Sequence, residues 1–242
     1  MKKLLIVFFC LTILKPALCQ RVERFGMHIG LGYTHNFIKP VELNSIINSY
    51  NLRYNLKEDE RMDTITSLRG ISFRFSMYED GHGIDWGIQF KGTRVNSNGT
   101  STDTAKNLGF KVNIGGLDFG YSYMVARNLA IGSSLTFNLY SFKFKNNTES
   151  FWKPNYDTWQ PGYTFFLNYF INLDEDMIGI LIRPYYEVTP RFNFTEAAQR
   201  ITSTSTPDKT GTLSSFGIAV TFGVSHIRNF KPGTNQYSPP PR

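Results

Sequence analysis

A two-residue rhythm of apolar and polar side chains, recurring from residue 25 to residue 224, constrains this chain more than any other feature. In 25–33, Phe25, Met27, Ile29, Leu31 and Tyr33 alternate with Gly26, His28, Gly30 and Gly32. The segments 71–78 (Ile71, Phe73, Phe75, Met77), 84–91 (Ile84, Trp86, Ile88, Phe90) and 216–224 (Phe216, Ile218, Val220, Phe222, Val224) repeat the pattern. Period two puts successive side chains on opposite faces of an extended chain, which an amphipathic helix cannot do. Four further segments, 108–124, 129–144, 162–172 and 177–191, read as strands with less regular faces. Two of them change phase. At Gly115-Gly116 the apolar set passes from Leu108, Phe110, Val112 and Ile114 to Leu117, Phe119, Tyr121 and Tyr123, and a second slip falls near Leu139-Tyr140. A β-bulge, one extra residue that turns the strand over, is the expected cause.

The connections alternate in length. Glu79-Asp80-Gly81-His82, Ala126-Arg127-Asn128 and Leu173-Asp174-Glu175-Asp176 are tight hairpin turns, whereas 34–67, 96–107, 145–161 and 192–211 are long. Transmembrane barrels show this asymmetry, with short periplasmic turns and long extracellular loops. The strands run about 9–15 residues, enough to cross a bilayer at a tilt. In a soluble barrel the apolar face is the core; in a membrane barrel it meets lipid and the polar face fills the lumen. The polar face here carries small residues and widely spaced charges that can pair across a lumen: Arg74, Asp85, Lys91, Lys111, Asp118, Arg183 and Glu187. Aromatic residues gather near strand ends, as girdles do. Phe25, Tyr78, Trp86, Tyr121, Tyr123 and Phe222 mark the short-turn end, and Tyr33, Phe37, Phe142, Phe144, Tyr163, Tyr185 and Phe192 the other. The expected fold is all-β: an eight-stranded antiparallel up-and-down transmembrane β-barrel over residues 20–228.

Residues 1–19 read as a secretory signal, with Lys2 and Lys3 ahead of the apolar run Leu4–Leu14 and a small-residue exit at Ala17-Leu18-Cys19, giving cleavage before Gln20. The apolar run is too short to span a bilayer, which takes roughly 20 residues. Both cysteines, Cys10 and Cys19, lie in this segment, so neither disulfides nor thiolate metal ligands are expected beyond it. Removing Lys2, Lys3 and Lys15 lowers the formal charge of +7 by three. The remaining cations are dispersed rather than gathered in a stripe, so nucleic acid is not an expected partner. Residues 229–242, with Pro239-Pro240-Pro241, form a tail.

The signal, the eight alternating strands and the long loops resemble the small outer-membrane β-barrel proteins of Bacteroidetes-type bacteria, similar in plan to OmpA/OmpX-like barrels and the PorT-like group. The carriers are the opening strand Phe25–Tyr33 and the pattern Gly115-Gly116-Leu117-Asp118-Phe119-Gly120-Tyr121-Ser122-Tyr123. The resemblance implies residence in a Gram-negative outer membrane, with lipid around the barrel. It also implies envelope or secretion-system proteins as partners. The chain departs from the usual pattern after Val224, where a tail follows instead of a terminal aromatic residue.

An eight-stranded barrel is filled by its own side chains, so the seven inward charges read first as a paired network holding the lumen closed. His28, His35, His82 and His226 show no ligand spacing, and no G-x-S-x-G occurs; no metal, cofactor or enzymatic activity is expected. In the first long loop, about 40–56, Pro40 opens a helix in which Leu43, Ile46, Ile47, Tyr50 and Tyr54 share one face. That face either packs over the barrel mouth or, with Trp152 and Trp159 of the 145–161 loop, forms a partner-contact surface. The expected role is structural, adhesive or complex-forming. A soluble secreted barrel holding a small apolar ligand, or a narrow channel, are the alternatives.

Overall fold

The computed structural model describes residues 25–98, 107–126, 128–146, 152–173, 178–202 and 209–227, so the signal segment and the tail lie outside the described residues. Eight long strands close a barrel: β1 (Phe25–Ile38), β2 (Ser67–Glu79), β3 (His82–Asn96), β4 (Leu108–Ala126), β5 (Leu129–Asn146), β6 (Lys153–Asn172), β7 (Ile178–Val188) and β10 (Ser215–Ile227). Every neighbouring pair is antiparallel, and β10 closes the cylinder against β1. Within the long connections, α1 (Val41–Arg53) follows β1. The short strands β8 (Arg191–Asn193) and β9 (Thr210–Thr212), which pair with each other, flank α2 (Thr195–Thr202). The β2–β3 hairpin turns on Asp80 and Gly81, both at positive φ (50° and 83°), as a two-residue type I′ turn requires. The expected connection 145–161 is largely strand, because β5 and β6 run on to Asn146 and from Lys153.

The phase changes in β4 and β5 are not bulges. The β4 ladders run unbroken through Gly115-Gly116, and the β4–β5 register shifts only near the short turn, between Met124 and Ala126. Even-numbered residues of β4 point inward along its whole length: Phe110, Val112 and Ile114 are buried, and so are Asp118 and Ser122. What changes is the environment. Toward the short turns the inside is polar and the outside apolar, as Leu117, Phe119, Leu135 and Phe137 are exposed. Toward the long loops, on β3, β4 and β5, the inside is apolar (Val95, Phe110, Val112, Tyr140, Phe142) and the outside polar, as in a water-soluble barrel. Gly115 pairs with Leu139 and Gly116 with Asn138, so the two strands switch at one level.

The outward belt of Leu31, Ile71, Ile84, Phe90, Leu117, Phe119, Ile131, Phe137, Phe165 and Phe222 is exposed all around the barrel. Lipid is the environment that removes the cost of such a surface. Phe119→Arg, inside the belt, is expected to destabilise the barrel in lipid by about 2–4 kcal/mol. Asn113→Arg, outward on the same strand but beyond the belt, is expected to change little. Folding yields into vesicles compare the two, and equal losses would overturn the belt assignment.

Candidate functional site

The barrel interior is stacked in three layers. Nearest the short turns, Tyr78, Met124, Ala130, Phe170 and Leu181 form a small apolar floor. Above it, Asp85 accepts hydrogen bonds from Ser76 (2.7 Å), from Asn168 (2.7 Å) and from Ser122. Arg74 pairs with Asp118, and Lys91 with Glu187, which also accepts from Asn138 Nδ2 at 2.7 Å. Arg183 stands between the carboxylates, 3.6 Å from Asp85 and 3.8 Å from Asp118, its guanidinium 3.4 Å from the centre of the Phe166 ring. Three cations thus meet three carboxylates, each at most 4% exposed. Ion burial on this scale holds only when the charges balance.

The strand register explains how long side chains fit in so narrow a lumen. Arg74 faces Gly87 across the β2–β3 ladder, and Gly87 faces Asp118 across the β3–β4 ladder. The missing side chain at Gly87 is the space Arg74 crosses to reach Asp118; a Cβ there would sit 2.3 Å from the guanidinium. Tyr78 repeats the device over Gly83 toward Ser122, and Tyr185 over Gly217 toward Asn36, to which its hydroxyl donates at 2.6 Å. Gly87→Val is therefore expected to displace Arg74 and destabilise the barrel by several kcal/mol, on the order of losing one member of a buried ion pair. Urea unfolding of the folded protein in micelles measures it, and an unchanged midpoint would sink this account.

The third layer is the apolar core of the extramembrane half. Phe110, Val112, Ile114, Tyr140, Phe142 and Phe144 from the wall meet Leu43, Ile46, Ile47 and Tyr50 of α1, with Leu56, Met62, Ile65, Phe192, Phe194 and Leu213 from the loops. The helix is held by two asparagines one heptad apart. Asn44 exchanges both hydrogen bonds with the backbone of Ile65, and Asn51 does the same with Met62, at 2.8–3.0 Å. The return segment is thereby stitched to the helix, and the mouth is roofed.

Six of the seven charges named from sequence, Arg74, Asp85, Lys91, Asp118, Arg183 and Glu187, come together inside. Lys111 does not. It points outward on β4 between inward Phe110 and Val112, because beyond Gly115-Gly116 the inside of this strand is apolar and its polar residues face out. The reading of Leu43, Ile46, Ile47 and Tyr50 as a partner-contact stripe is likewise corrected: all are at most 2% exposed and serve as the roof. Trp159 is 65% exposed on the outer face of β6, and Trp152 lies half-buried beside Arg94. Tyr78, Phe142, Phe144, Tyr185 and Phe192, expected in girdles, are interior. Sequence reading missed the second α1 anchor set, Leu56, Met62 and Ile65; their apolar side chains within an otherwise polar stretch were the available signal. Among the described residues, no three His, Cys, Asp or Glu side chains converge as metal ligands do.

An apolar outer belt, a lumen filled by a neutral ion network and hairpins that are short at one end only define a closed eight-stranded antiparallel barrel of the transmembrane class. Among solved structures, the chain is similar to Ail, the attachment invasion locus protein of Yersinia pestis, in complex with the heparin analogue sucrose octasulfate. The identity is 11%, the coverage 84% of this chain and 99% of that one, and the TM-score 0.46. It is also similar to the outer membrane protein OprG from Pseudomonas aeruginosa (12% identity, 86% and 98% coverage, TM-score 0.41) and to the outer membrane protease OmpT from Escherichia coli (7%, 85% and 97%, TM-score 0.36). No protein-family model and no curated protein sequence matches the chain.

Proposed function

We propose that the chain is an integral outer-membrane barrel of a Gram-negative cell, exported with residues 1–19 as a cleaved signal, that acts through its extramembrane half as a structural, adhesive or complex-forming protein. The observation behind this reading is the apolar belt exposed around the barrel together with the inversion of polarity along β4 and β5, from apolar-out to apolar-in. Only a chain that stands partly in lipid and partly in water has use for it. The same observation counts against a soluble carrier of apolar ligands, whose outer wall would be polar throughout. The lumen, filled along its length, counts against a channel. Lipid is the immediate partner, and other envelope proteins, including a secretion assembly of the PorT-like kind, are the macromolecular ones. Catalysis, cofactors and nucleic acid have no part in the reading.

The test is carbonate washing of membranes followed by gel mobility with and without boiling, and then planar-bilayer recording. Retention in the outer membrane, a boiling-dependent shift and no steady conductance are expected. Recovery in the soluble fraction without a shift would overturn the barrel, and stable unitary currents would overturn the closed lumen.

A further inference from the structure

The outer wall above the belt is cationic on one side. Arg94 of β3, Lys111 of β4 and Lys143 of β5 are direct cross-strand partners in successive ladders, and all three side chains point outward. Neighbouring side chains in such a row stand about 5 Å apart, and like charges placed opposite one another are destabilising. Lys145, one outward position further along β5, extends the group. Among the described residues none of the four forms an ion pair. Arg94 donates from Nε to the Asn96 amide oxygen at 2.9 Å and lies 4.9 Å from the Trp152 ring. Such a row is a ready site for an anionic counterpart.

The row leads into a built pocket. Asn96, Gly109 and Lys145 are cross-strand partners one step beyond it, and Gly109 at the centre carries no side chain. The Trp152 indole occupies that space, its edge 2.9 Å from where a Cβ of residue 109 would lie. Arg94, Asn96, Asn98, Gly109, Lys145 and Trp152 thus enclose much of a cavity of about 190 Å³. An indole offers an apolar platform for the C–H face of a sugar ring. Side-chain amides pair with hydroxyls, and guanidinium and ammonium groups pair with phosphate oxygens.

Height selects the source. Arg94 lies two outward positions beyond exposed Phe90, and Lys143 two beyond Leu139, the last outward apolar residue of β5. At about 3.3 Å per residue and a tilt near 40°, that is roughly 10 Å above the hydrocarbon edge, within reach of headgroups. We propose that the β3–β4–β5 face binds the phosphorylated sugar headgroup of an outer-leaflet glycolipid, with Arg94, Lys111, Lys143 and Lys145 on its phosphates and Trp152 against a sugar ring.

The inference rests on the membrane-spanning reading, which the boiling-dependent shift tests separately. Native mass spectrometry of the full folded chain, released from micelles doped with a probe, counts retained molecules. The probes are lipopolysaccharide with its inner-core phosphates, the same material dephosphorylated, phosphatidylglycerol, and glucose 6-phosphate in solution. Wild type is expected to retain the phosphorylated glycolipid about tenfold better than any other probe. Lys111→Glu with Lys143→Glu, and separately Trp152→Ala, are expected to lower that retention about tenfold. Lys57→Glu with Arg191→Glu, exposed elsewhere, is expected to leave it unchanged. If the charge reversal does not fold, judged by the gel shift, Lys111→Gln with Lys143→Gln replaces it. Equal retention of the dephosphorylated glycolipid, or wild-type retention by the cation variants, overturns the proposal. Equal competition by glucose 6-phosphate overturns the lipid as source and leaves a soluble phosphosugar.

Discussion

Asp118→Ala should unfold at a markedly lower urea concentration than wild type, a loss of about 3–5 kcal/mol, because it strands Arg74 and leaves Arg183 leaning on Asp85 alone. The size of the loss is mostly the cost of a buried cation without its partner. Replacing both members of the close pair, Arg74→Met with Asp118→Leu, should therefore recover most of the stability. The double-mutant cycle, closed with the single Arg74→Met and Asp118→Leu variants, reads the coupling directly, with fluorescence or gel mobility following unfolding in micelles. Additive losses, with the double variant as weak as the sum of the singles, would show that the two residues do not act as a pair. Arg183 would then be the member that sets the network.

Ile47→Asp should separate the two halves of the molecule. Ile47 is fully buried in the roof, where a carboxylate finds no cation, so the expected penalty is several kcal/mol confined to the extramembrane core. Arg53, Lys57 and Arg61, exposed on or just after α1, should become rapid trypsin sites. The boiling-dependent shift should persist, since the belt and the ion network lie below. Planar-bilayer conductance should stay absent for the same reason. Loss of the gel shift together with the roof would mean that the apolar core holds the barrel and not merely its mouth.

Strands and hairpins were legible in the sequence because period-two patterning and turn chemistry are local. The Asp80-Gly81 turn and the eight long strands follow from residues within a few positions of one another. Facing was only half legible. Alternation reports which environment each face meets, and it was read as reporting the backbone, so a change of solvent at Gly115-Gly116 became a bulge. The correcting signal was present in the pair: the slips in β4 and β5 fall opposite each other, and two bulges would have no reason to coincide. Lys111 was misplaced by the same assumption that polar residues face inward. The ion network was legible as a set of inward charges below the switch. Its pairing was not, since Arg74 and Asp118 meet only across an intervening strand whose Gly87 looks unremarkable in sequence. The helix face was legible as apolar, but a stripe bound for a roof and a stripe bound for a partner carry the same residues.

The ladder between β1 and β10 joins residues about two hundred positions apart, while every other neighbouring pair of barrel strands is consecutive around the ring. Unrolled, the barrel is a circular list cut at one place. Until β10 is in position, β1 and β7 each present an open edge, so every shorter intermediate during synthesis has two templates for mispairing and needs a holder. The cut itself is interchangeable. Gly26 lies opposite residue 227 at the short-turn end, so a linker there and a new opening between Asp80 and Gly81 would keep every ladder of the barrel. Such a permuted chain begins with β3 and ends with β2. Its assembly rate would report the kinetic cost of the original order, separately from the stability that both orders share.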